Sequence, residues 1–236
     1  MLRKAIKAAD KTVDVFVVIL CLLFFLICTY AMIDAVMVYY SANNKDVLKY
    51  KPTLENTEPL RELGEDAVAW LTVDGTQIDY PIMQGKTNEE YLNKDPFGEH
   101  SLAGSIFLDS RNARDFSDIY NVVYGHHMEY GKMFGSLDEF KKAQFFDTHT
   151  TGTLITVAGG NYKITLFACG TALATDKIVF NTDVENNAAL LRQLKREAFI
   201  YKDTVADAGA HIIALSTCQS AQNVERLILF GILEKI

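Results

Sequence analysis

Three side chains suited to covalent chemistry stand at the ends of apolar, β-rich runs. Cys218 follows the run Ile212-Ile213-Ala214-Leu215-Ser216-Thr217, and a thiol held at a strand end is well placed as a nucleophile. His126 ends a second apolar run and can exchange protons with a thiol. Arg226 opens a third, and its guanidinium can donate to a developing oxyanion. Taken singly, Cys218 also fits an inert buried thiol and Arg226 an exposed strand-edge residue.

The neighbouring His127 raises the alternative of a metal site. His126, His127 and Glu129 carry the imidazole and carboxylate groups that commonly bind zinc. Adjacent residues of a strand point to opposite faces, however, so the two histidines cannot readily hold one ion. We therefore expect no metal and no cofactor.

The remaining cysteines do not suggest chemistry. The chain has 4 cysteines and no C-x-x-C pair, which argues against a disulfide scaffold, a zinc site and a redox dithiol. Cys21 and Cys28 lie within an apolar run near the N-terminus. We predict that Cys169, in Leu166-Phe167-Ala168-Cys169-Gly170, is a free, buried and structural thiol.

An uncharged apolar run from Val15 to Ile33 is long enough to cross a bilayer, which takes about 20 residues. It is too long for the apolar region of a cleaved signal peptide, usually about 7 to 15 residues. Basic residues cluster before it, at Arg3, Lys4, Lys7 and Lys11. By the positive-inside rule we expect a cytoplasmic tail over residues 1–12, a single-pass anchor over 13–40 and an extracellular remainder.

The elements that must position the candidate residues are mainly β. Residues 41–66 predict short helices in an extracellular stalk that packs on the domain. Turn signals separate eight β-rich runs: Ala69 to Val73, Gln77 to Met83, Ser105 to Leu108, Asn121 to Tyr124, Thr153 to Val157, Tyr162 to Cys169, His211 to Thr217 and Leu227 to Leu233. Eight short strands indicate a barrel or a sandwich.

Helical periodicity appears between the sixth and seventh runs. Leu191, Leu194, Ala198 and Tyr201 share one face and predict an amphipathic helix of about four turns. Shorter helical pieces are predicted at Asn88 to Leu92 and at Ser136 to Lys142. The Gly159-Gly160-Asn161 stretch predicts a hairpin between the fifth and sixth runs.

Composition limits the possible partners. The 236 residues are 49% apolar, enough for one domain with a sizeable core. The net charge of −7 argues against a nucleic-acid-binding surface, since phosphate contacts need clustered Lys and Arg.

Taken together, the motifs resemble those of Gram-positive sortases, the cysteine transpeptidases that attach proteins to the cell wall. The resemblance rests on Leu215-Ser216-Thr217-Cys218, on Arg226 and on Tyr124-Gly125-His126. Trp70 to Pro81 and Gly104 to Asp109 are similar to class B members. The resemblance implies a mainly β fold: an eight-stranded sortase-type barrel over residues 67–236, with N-terminal helices and a long helix between strands six and seven.

The same resemblance assigns roles to individual residues. It implies that Cys218 is the nucleophile, His126 the acid and base, and Arg226 the oxyanion contact. Tyr124 and Ser216 match positions that line the substrate groove, and the backbone of Thr217 matches a contact to the acyl oxygen. Some class B sortases carry an acidic residue just after the cysteine, whereas this chain has Gln219 and Ser220, so no catalytic carboxylate is assigned.

The implied partners are the sorting-motif peptide of a secreted protein and an acceptor amine. That amine belongs either to a peptidoglycan precursor or to a pilin subunit, the latter in a pilus-polymerising enzyme. An extracellular cysteine peptidase that mainly hydrolyses, and an inactive, membrane-tethered binding module, remain alternatives.

Overall fold

The computed structural model describes residues 2–41, 46–203, 206–218 and 224–236, and for residues 2–10, 12, 38–41 and 218 it describes the backbone alone. Two compact units are present, Met1–Ser41 and Ala42–Ile236. The predicted loop at Gln219 and Ser220 lies outside the described residues.

The first unit is one helix, α1 (Leu2–Ser41). Its segment Val13–Met37 has 25 residues and is long and apolar enough to cross a membrane, judged by length and composition. At 1.5 Å per residue this segment measures about 37 Å, against about 30 Å for a hydrocarbon core. The uncharged run from Val15 to Ile33 lies within it.

The second unit is built mainly from β-strands. The strands are β1 (Ala67–Val73), β2 (Asp79–Met83), β3 (Ile106–Leu108), β4 (Tyr120–His126), β5 (Thr151–Thr156), β6 (Asn161–Leu173), β7 (Ile200–Tyr201), β8 (Ile212–Cys218) and β9 (Glu225–Lys235). The α-helices are α2 (Glu58–Arg61), α3 (Ala143–Thr148) and α4 (Ala188–Glu197), and 3-10 helices span Val47–Tyr50, Glu129–Gly131 and Gly135–Lys141.

Eight of these strands close into a barrel. The hydrogen-bonded order is β5-β1-β2-β3-β4-β8-β9-β6, and β6 pairs back onto β5. The two-residue β7 adds to the side of β6. The predicted eight-stranded barrel is confirmed. Two of its pairings are parallel, β2 with β3 and β4 with β8.

The hairpin predicted between the fifth and sixth runs is present. β5 and β6 pair in antiparallel fashion, and Gly159 has a φ of 89°. Glycine adopts this conformation without the penalty that a Cβ atom would bring. The turn is held by the Thr156 hydroxyl, which donates to the Gly160 carbonyl at 2.7 Å.

Alternating side chains divide the core between two clusters. Leu71, Val123 and Leu229 belong to one cluster, whereas their chain neighbours Trp70, Val122 and Phe230 belong to the other. This alternation is the period of two expected for strands buried on both faces. Leu190 and Leu194 of α4 pack in the second cluster and thereby fix the helix on the sheet.

Two helical predictions need correction. The amphipathic helix starts earlier than predicted and ends at Glu197, because Ala198 is extended and Ile200–Tyr201 pair with β6. The predicted helix at Asn88 to Leu92 is wrong, and these residues form turns. There the Asn88 side-chain oxygen accepts from the Ser110 backbone amide, and its side-chain nitrogen donates to the Asp109 carboxylate.

The segment before β1 is attached to the barrel. Val47 and Leu60 are buried at 2% and 0% exposure in the second cluster. The Lys51 ammonium donates to the Asp79 carboxylate at 2.8 Å, and the Trp70 indole donates to the same group at 2.7 Å. Residues 46–66 are therefore part of the compact unit.

Candidate active site

The site is organised by the parallel pairing of β4 with β8. These strands pair residue by residue from Tyr120 with Ile212 to His126 with Cys218. Because parallel strands run in the same direction, both end at the same rim of the barrel. The backbones of the predicted base and the predicted nucleophile are thus direct neighbours.

Arg226 approaches the same point from the other side of β8. Antiparallel β9 pairs with β8 as far as Ser216 with Ile228, and Arg226 lies two residues before Ile228, near the start of β9. Beyond this pair the Thr217 hydroxyl accepts a hydrogen bond from the Leu227 backbone amide at 3.1 Å, which joins the ends of β8 and β9. Three neighbouring strand ends therefore carry the three residues that the motifs singled out.

His126 is oriented by a backbone carbonyl. Its Nε2 atom lies 2.7 Å from the carbonyl oxygen of Leu92. A carbonyl accepts hydrogen bonds and cannot donate them, so Nε2 carries the hydrogen and Nδ1 is the ring nitrogen able to take up a proton. The contact fixes the half-buried ring in one tautomer.

His127 has different surroundings. Its Nε2 atom lies 2.5 Å from the Asp138 carboxylate, which also accepts from Lys141 at 2.7 Å. Burial alone would raise the pKa of Asp138, but hydrogen bonds from Lys141 and His127 hold this pKa below its ordinary value. His126, the last residue of β4, and His127, which follows it, thus engage separate partners.

Aromatic rings lie beside the guanidinium of Arg226. Its Cζ atom is 5.9 Å from the ring centre of Tyr124 and 5.8 Å from that of Phe180. Both distances fall within the range of cation–π attraction. The two rings are stacked, with centres 6.3 Å apart and planes inclined by 22°. Phe180 was missed by the sequence reasoning, because no spacing or motif links it to the other residues.

A cleft of about 180 Å³ reaches this point. It is lined by Asn88, Glu89, Leu92, Phe107, Tyr124, Ala174, Phe180 and Arg226. The lining combines apolar and aromatic surface with a few polar groups, as is typical of sites that bind peptides or small molecules.

The three predicted substrate contacts are placed differently. Tyr124 lines the cleft at 8% exposure, whereas Ser216 and Thr217 are fully buried. The Ser216 hydroxyl points to the Thr217 carbonyl at 3.4 Å, and the Thr217 hydroxyl is bonded to Leu227. Their side chains are therefore used inside the barrel.

Metal ligands are not grouped in the part of the chain that the structure describes: no cluster of three or more His, Cys, Asp and Glu side chains occurs there. Cys169 is a free thiol with 0% exposure, as predicted. Burial raises the pKa of this thiol to about 12, which keeps it protonated and unreactive at neutral pH.

Comparisons with known proteins identify the family of the chain. The sortase-domain family model matches residues 71–234. Sortase B of Staphylococcus aureus is 32% identical over 184 residues, covering 76% of this chain and 75% of that protein.

Two solved structures are similar in fold. One is a class B sortase of Streptococcus pyogenes involved in pilus biogenesis, with 40% identity, a TM-score of 0.69 and coverage of 75% of this chain and 97% of that one. The other is sortase B of Bacillus anthracis, with 31% identity, a TM-score of 0.73 and coverage of 85% and 99%.

Proposed function

The chain belongs to the sortase family of cysteine transpeptidases and is similar to class B members. On this premise we propose that it is a membrane-anchored enzyme that transfers a cleaved sorting peptide to an amine. The register of β4 on β8, which pairs His126 with Cys218, carries the proposal. In the proposed roles Cys218 is the nucleophile, His126 the acid and base, and Arg226 the oxyanion contact.

The first half of the reaction forms a thioester. The Cys218 thiolate attacks the carbonyl carbon of a threonine in the sorting motif, and Arg226 donates hydrogen bonds to the resulting oxyanion. The carbon–nitrogen bond then breaks, and the departing amine takes a proton from the His126 imidazolium. An ordinary thiol, with a pKa near 8.5, is mostly protonated at neutral pH, so nearby cations are needed to favour the thiolate.

The second half forms a new amide. An incoming amine attacks the thioester carbon, the carbon–sulfur bond breaks, and His126 accepts the proton that the amine loses. The Leu92 carbonyl supports this role, since it keeps the hydrogen on Nε2 and leaves Nδ1 for proton exchange. Transfer outpaces hydrolysis when the cleft positions the amine better than water.

We assign the anchor to the segment Val13–Met37 of α1, which is long and apolar enough to cross a bilayer. The basic residues Arg3, Lys4, Lys7 and Lys11 precede it, and the positive-inside rule then puts the N-terminus in the cytoplasm. The barrel accordingly lies outside the cell, where it meets secreted substrates.

The first candidate for the acceptor is the cross-bridge amine of a peptidoglycan precursor. A lysine amine of a pilin subunit is the second candidate, because the Streptococcus pyogenes relative is a class B sortase involved in pilus biogenesis. Both acceptors present a primary amine, so the chemistry of the second half is the same.

The test uses the full chain in detergent micelles and a library of quenched fluorogenic peptides with one fixed threonine. We expect cleavage after the threonine, together with a mass increase on Cys218 equal to the acyl fragment. Added triglycine, or a peptide with a free lysine, should become joined to that fragment. The matched control is Cys218→Ala.

Two results would contradict the proposal. If no peptide acylates Cys218, the chain is an inactive module. If Cys218 is acylated but the acyl fragment is released only as the free acid with every amine tested, the chain is a peptidase.

A further inference from the structure

An ion pair between a buried carboxylate and a guanidinium side chain that is 54% exposed contacts residues that line the cleft. Asp109 follows β3 and is 0% exposed. Arg111 grips its carboxylate with two nitrogens, from Nε to Oδ1 at 2.8 Å and from Nη2 to Oδ2 at 2.7 Å. The Arg111 backbone amide also donates to Oδ1, at 3.0 Å.

The same pair holds three residues that line the cleft. The Tyr124 hydroxyl donates to Asp109 Oδ2 at 3.0 Å, and the Asn88 amide donates to that oxygen at 3.1 Å. Arg111 Nη2 donates to the Phe180 carbonyl at 2.9 Å. Asn88, Tyr124 and Phe180 come from distant parts of the chain, so the Asp109–Arg111 pair joins separate walls of one cleft.

Electrostatics keep this pair charged. Burial alone would raise the pKa of the Asp109 carboxyl, but hydrogen bonds from Arg111 outweigh burial and hold this pKa below its ordinary value. Such a pair is a weak source of net stability, because desolvation of the buried Asp109 carboxylate opposes its attraction to Arg111. What the pair does supply is fixed geometry, since the planar fork of Arg111 sets both angle and distance.

Two aromatic rings link the Asp109–Arg111 pair to Arg226. Tyr124 is held by its hydroxyl and Phe180 by its backbone carbonyl, and both rings lie within 6 Å of the Arg226 guanidinium carbon. Phe180 belongs to the connection between β6 and α4, where the neighbouring Val179 carbonyl accepts from the Tyr120 hydroxyl at 2.7 Å. The Arg111 contact adds a second attachment, one residue further along.

We propose that Asp109 and Arg111 are positioning residues that set Tyr124 and Phe180 against Arg226 and so fix the shape of the cleft for the acyl-donor peptide. The proposal rests on the proposed function, since it supposes that Arg226 and the cleft bind this peptide. Neither residue touches the reacting atoms.

The main variant is Arg111→Lys. Lysine keeps a positive charge for the buried carboxylate but cannot grip Asp109 with two nitrogens and reach the Phe180 carbonyl as well. The matched control is Arg196→Lys, the same change at the exposed pair in which Arg196 donates to Glu197 at 2.6 Å and 3.0 Å. Tyr124→Phe is the second variant, which removes only the hydroxyl that donates to Asp109.

The first readout separates KM from kcat for the fluorogenic threonine peptide that the wild-type chain cleaves fastest. Iodoacetamide titration of Cys218 counts the active molecules.

We expect Arg111→Lys and Tyr124→Phe to raise KM by roughly 5-fold or more and to lower kcat/KM by roughly 10- to 100-fold, the scale of a misplaced substrate. A merely structural fault reduces the number of active molecules and leaves KM unchanged. A KM within about 2-fold of wild type in both variants overturns the proposal.

The second readout does not depend on catalysis. Phe180 is replaced by 4-fluorophenylalanine, and the fluorine resonance is recorded in the wild-type, Arg111→Lys and Arg196→Lys backgrounds. We expect a shifted or broadened resonance for Arg111→Lys and an unchanged one for Arg196→Lys. An unchanged resonance in Arg111→Lys overturns the positioning role. If the wild-type chain cleaves no peptide, the proposed function fails, and the resonance alone decides whether Arg111 positions Phe180.

Discussion

His126 and Cys218 are register partners at the ends of two parallel strands, although 91 residues separate them in the chain. The pairing of β4 with β8 in the sheet, and not a local loop, therefore brings the two backbones together. Residues on strands are placed more precisely than residues on loops. The predictions that follow test this arrangement at the site and in the barrel behind it.

Arg226→Lys separates two roles of the guanidinium. Lysine keeps the charge that favours a thiolate and loses the planar fork of donors. We expect iodoacetamide labelling of Cys218 to persist, while peptide cleavage falls by roughly 10²- to 10³-fold, the loss typical of one oxyanion donor. Labelling rate and kcat/KM are measured on the same preparation. Near-wild-type cleavage would return Arg226 to a purely electrostatic or structural role.

His126→Ala and His127→Ala should differ sharply. His126 is the register partner of Cys218, whereas His127 is tied to Asp138. We expect His126→Ala to lower turnover by several orders of magnitude, and His127→Ala to lower it only modestly. Steady-state cleavage and circular dichroism of both variants form the measurement. Equal losses with intact folds would show that the assignment of the base is wrong.

Gly125→Ala should disturb the residue next to the proposed base. A Cβ atom at this position would come within 2.4 Å of Ile106 Cδ1 and 2.8 Å of Phe134 Cδ2. Such overpacking costs about 1–3 kcal/mol, because the Ile106 and Phe134 side chains or β4 must shift to make room. We expect a lower unfolding midpoint together with reduced cleavage. Gly209→Ala, at an exposed turn, is the control, and equal behaviour of the two variants would refute the packing argument.

Cys169→Ala should retain most activity. The Cys169 thiol is buried, and burial raises its pKa to about 12, so it is neither exposed nor ionised at neutral pH. We expect cleavage within about 2-fold of wild type and a stability loss of about 1 kcal/mol from the small cavity. Mass spectrometry after iodoacetamide treatment of the folded chain should find Cys169 unmodified. A loss of activity as complete as that of Cys218→Ala would contradict the structural role.

Protonation of His211 should make the barrel less stable in mild acid. Burial lowers the pKa of this imidazole, and its Nε2 atom lies 3.1 Å from the Asn121 side-chain nitrogen. Besides Asn121, the edge-on Tyr162 ring and the charge of Asp118 face this group.

Because the folded-state pKa lies below the unfolded value of about 6.5, this contribution to stability is complete above that pH and is lost as the pH falls below it. We expect the unfolding midpoint of wild type to drop between pH 7.5 and 5.5, and His211→Gln to drop less. The exposed His100→Gln serves as the reference and should follow wild type. A His211→Gln curve parallel to wild type would count against this role.

The barrel could be predicted from sequence because its strands repeat a simple physical pattern. Residues such as Trp70 and Leu71 alternate between two apolar clusters, and turn residues such as Gly159 separate the runs. The two-residue β7 has no pattern long enough to detect. The turns at Asn88 to Leu92 were mistaken for a helix because the partner of Asn88, Asp109, is distant in the chain.

The candidate site was predictable only in part. Cys218, His126 and Arg226 carry recognisable chemistry at strand ends, so residue type and position made them candidates, and the resemblance to sortases supplied their roles. Phe180 and Arg111 carry no such signal, since they act through a backbone carbonyl and a buried carboxylate. Their contribution depends on which distant segments meet, and local propensity contains no information about that.

The position of β9 has a consequence for the timing of folding. β9 lies between β8 and β6, so a ribosome-bound chain that has not yet released it has an open ring and an unpaired edge on the strand that ends in Cys218. The pairing of β9 with β6 joins residues far apart in sequence, such as Leu173 and Glu225, which makes closure slow and dependent on β9. Arg226 is itself part of that strand. A growing chain therefore cannot complete the proposed reactive centre before β9 has emerged. A fragment that stops at residue 224 has the proposed nucleophile and base but neither a closed barrel nor the guanidinium.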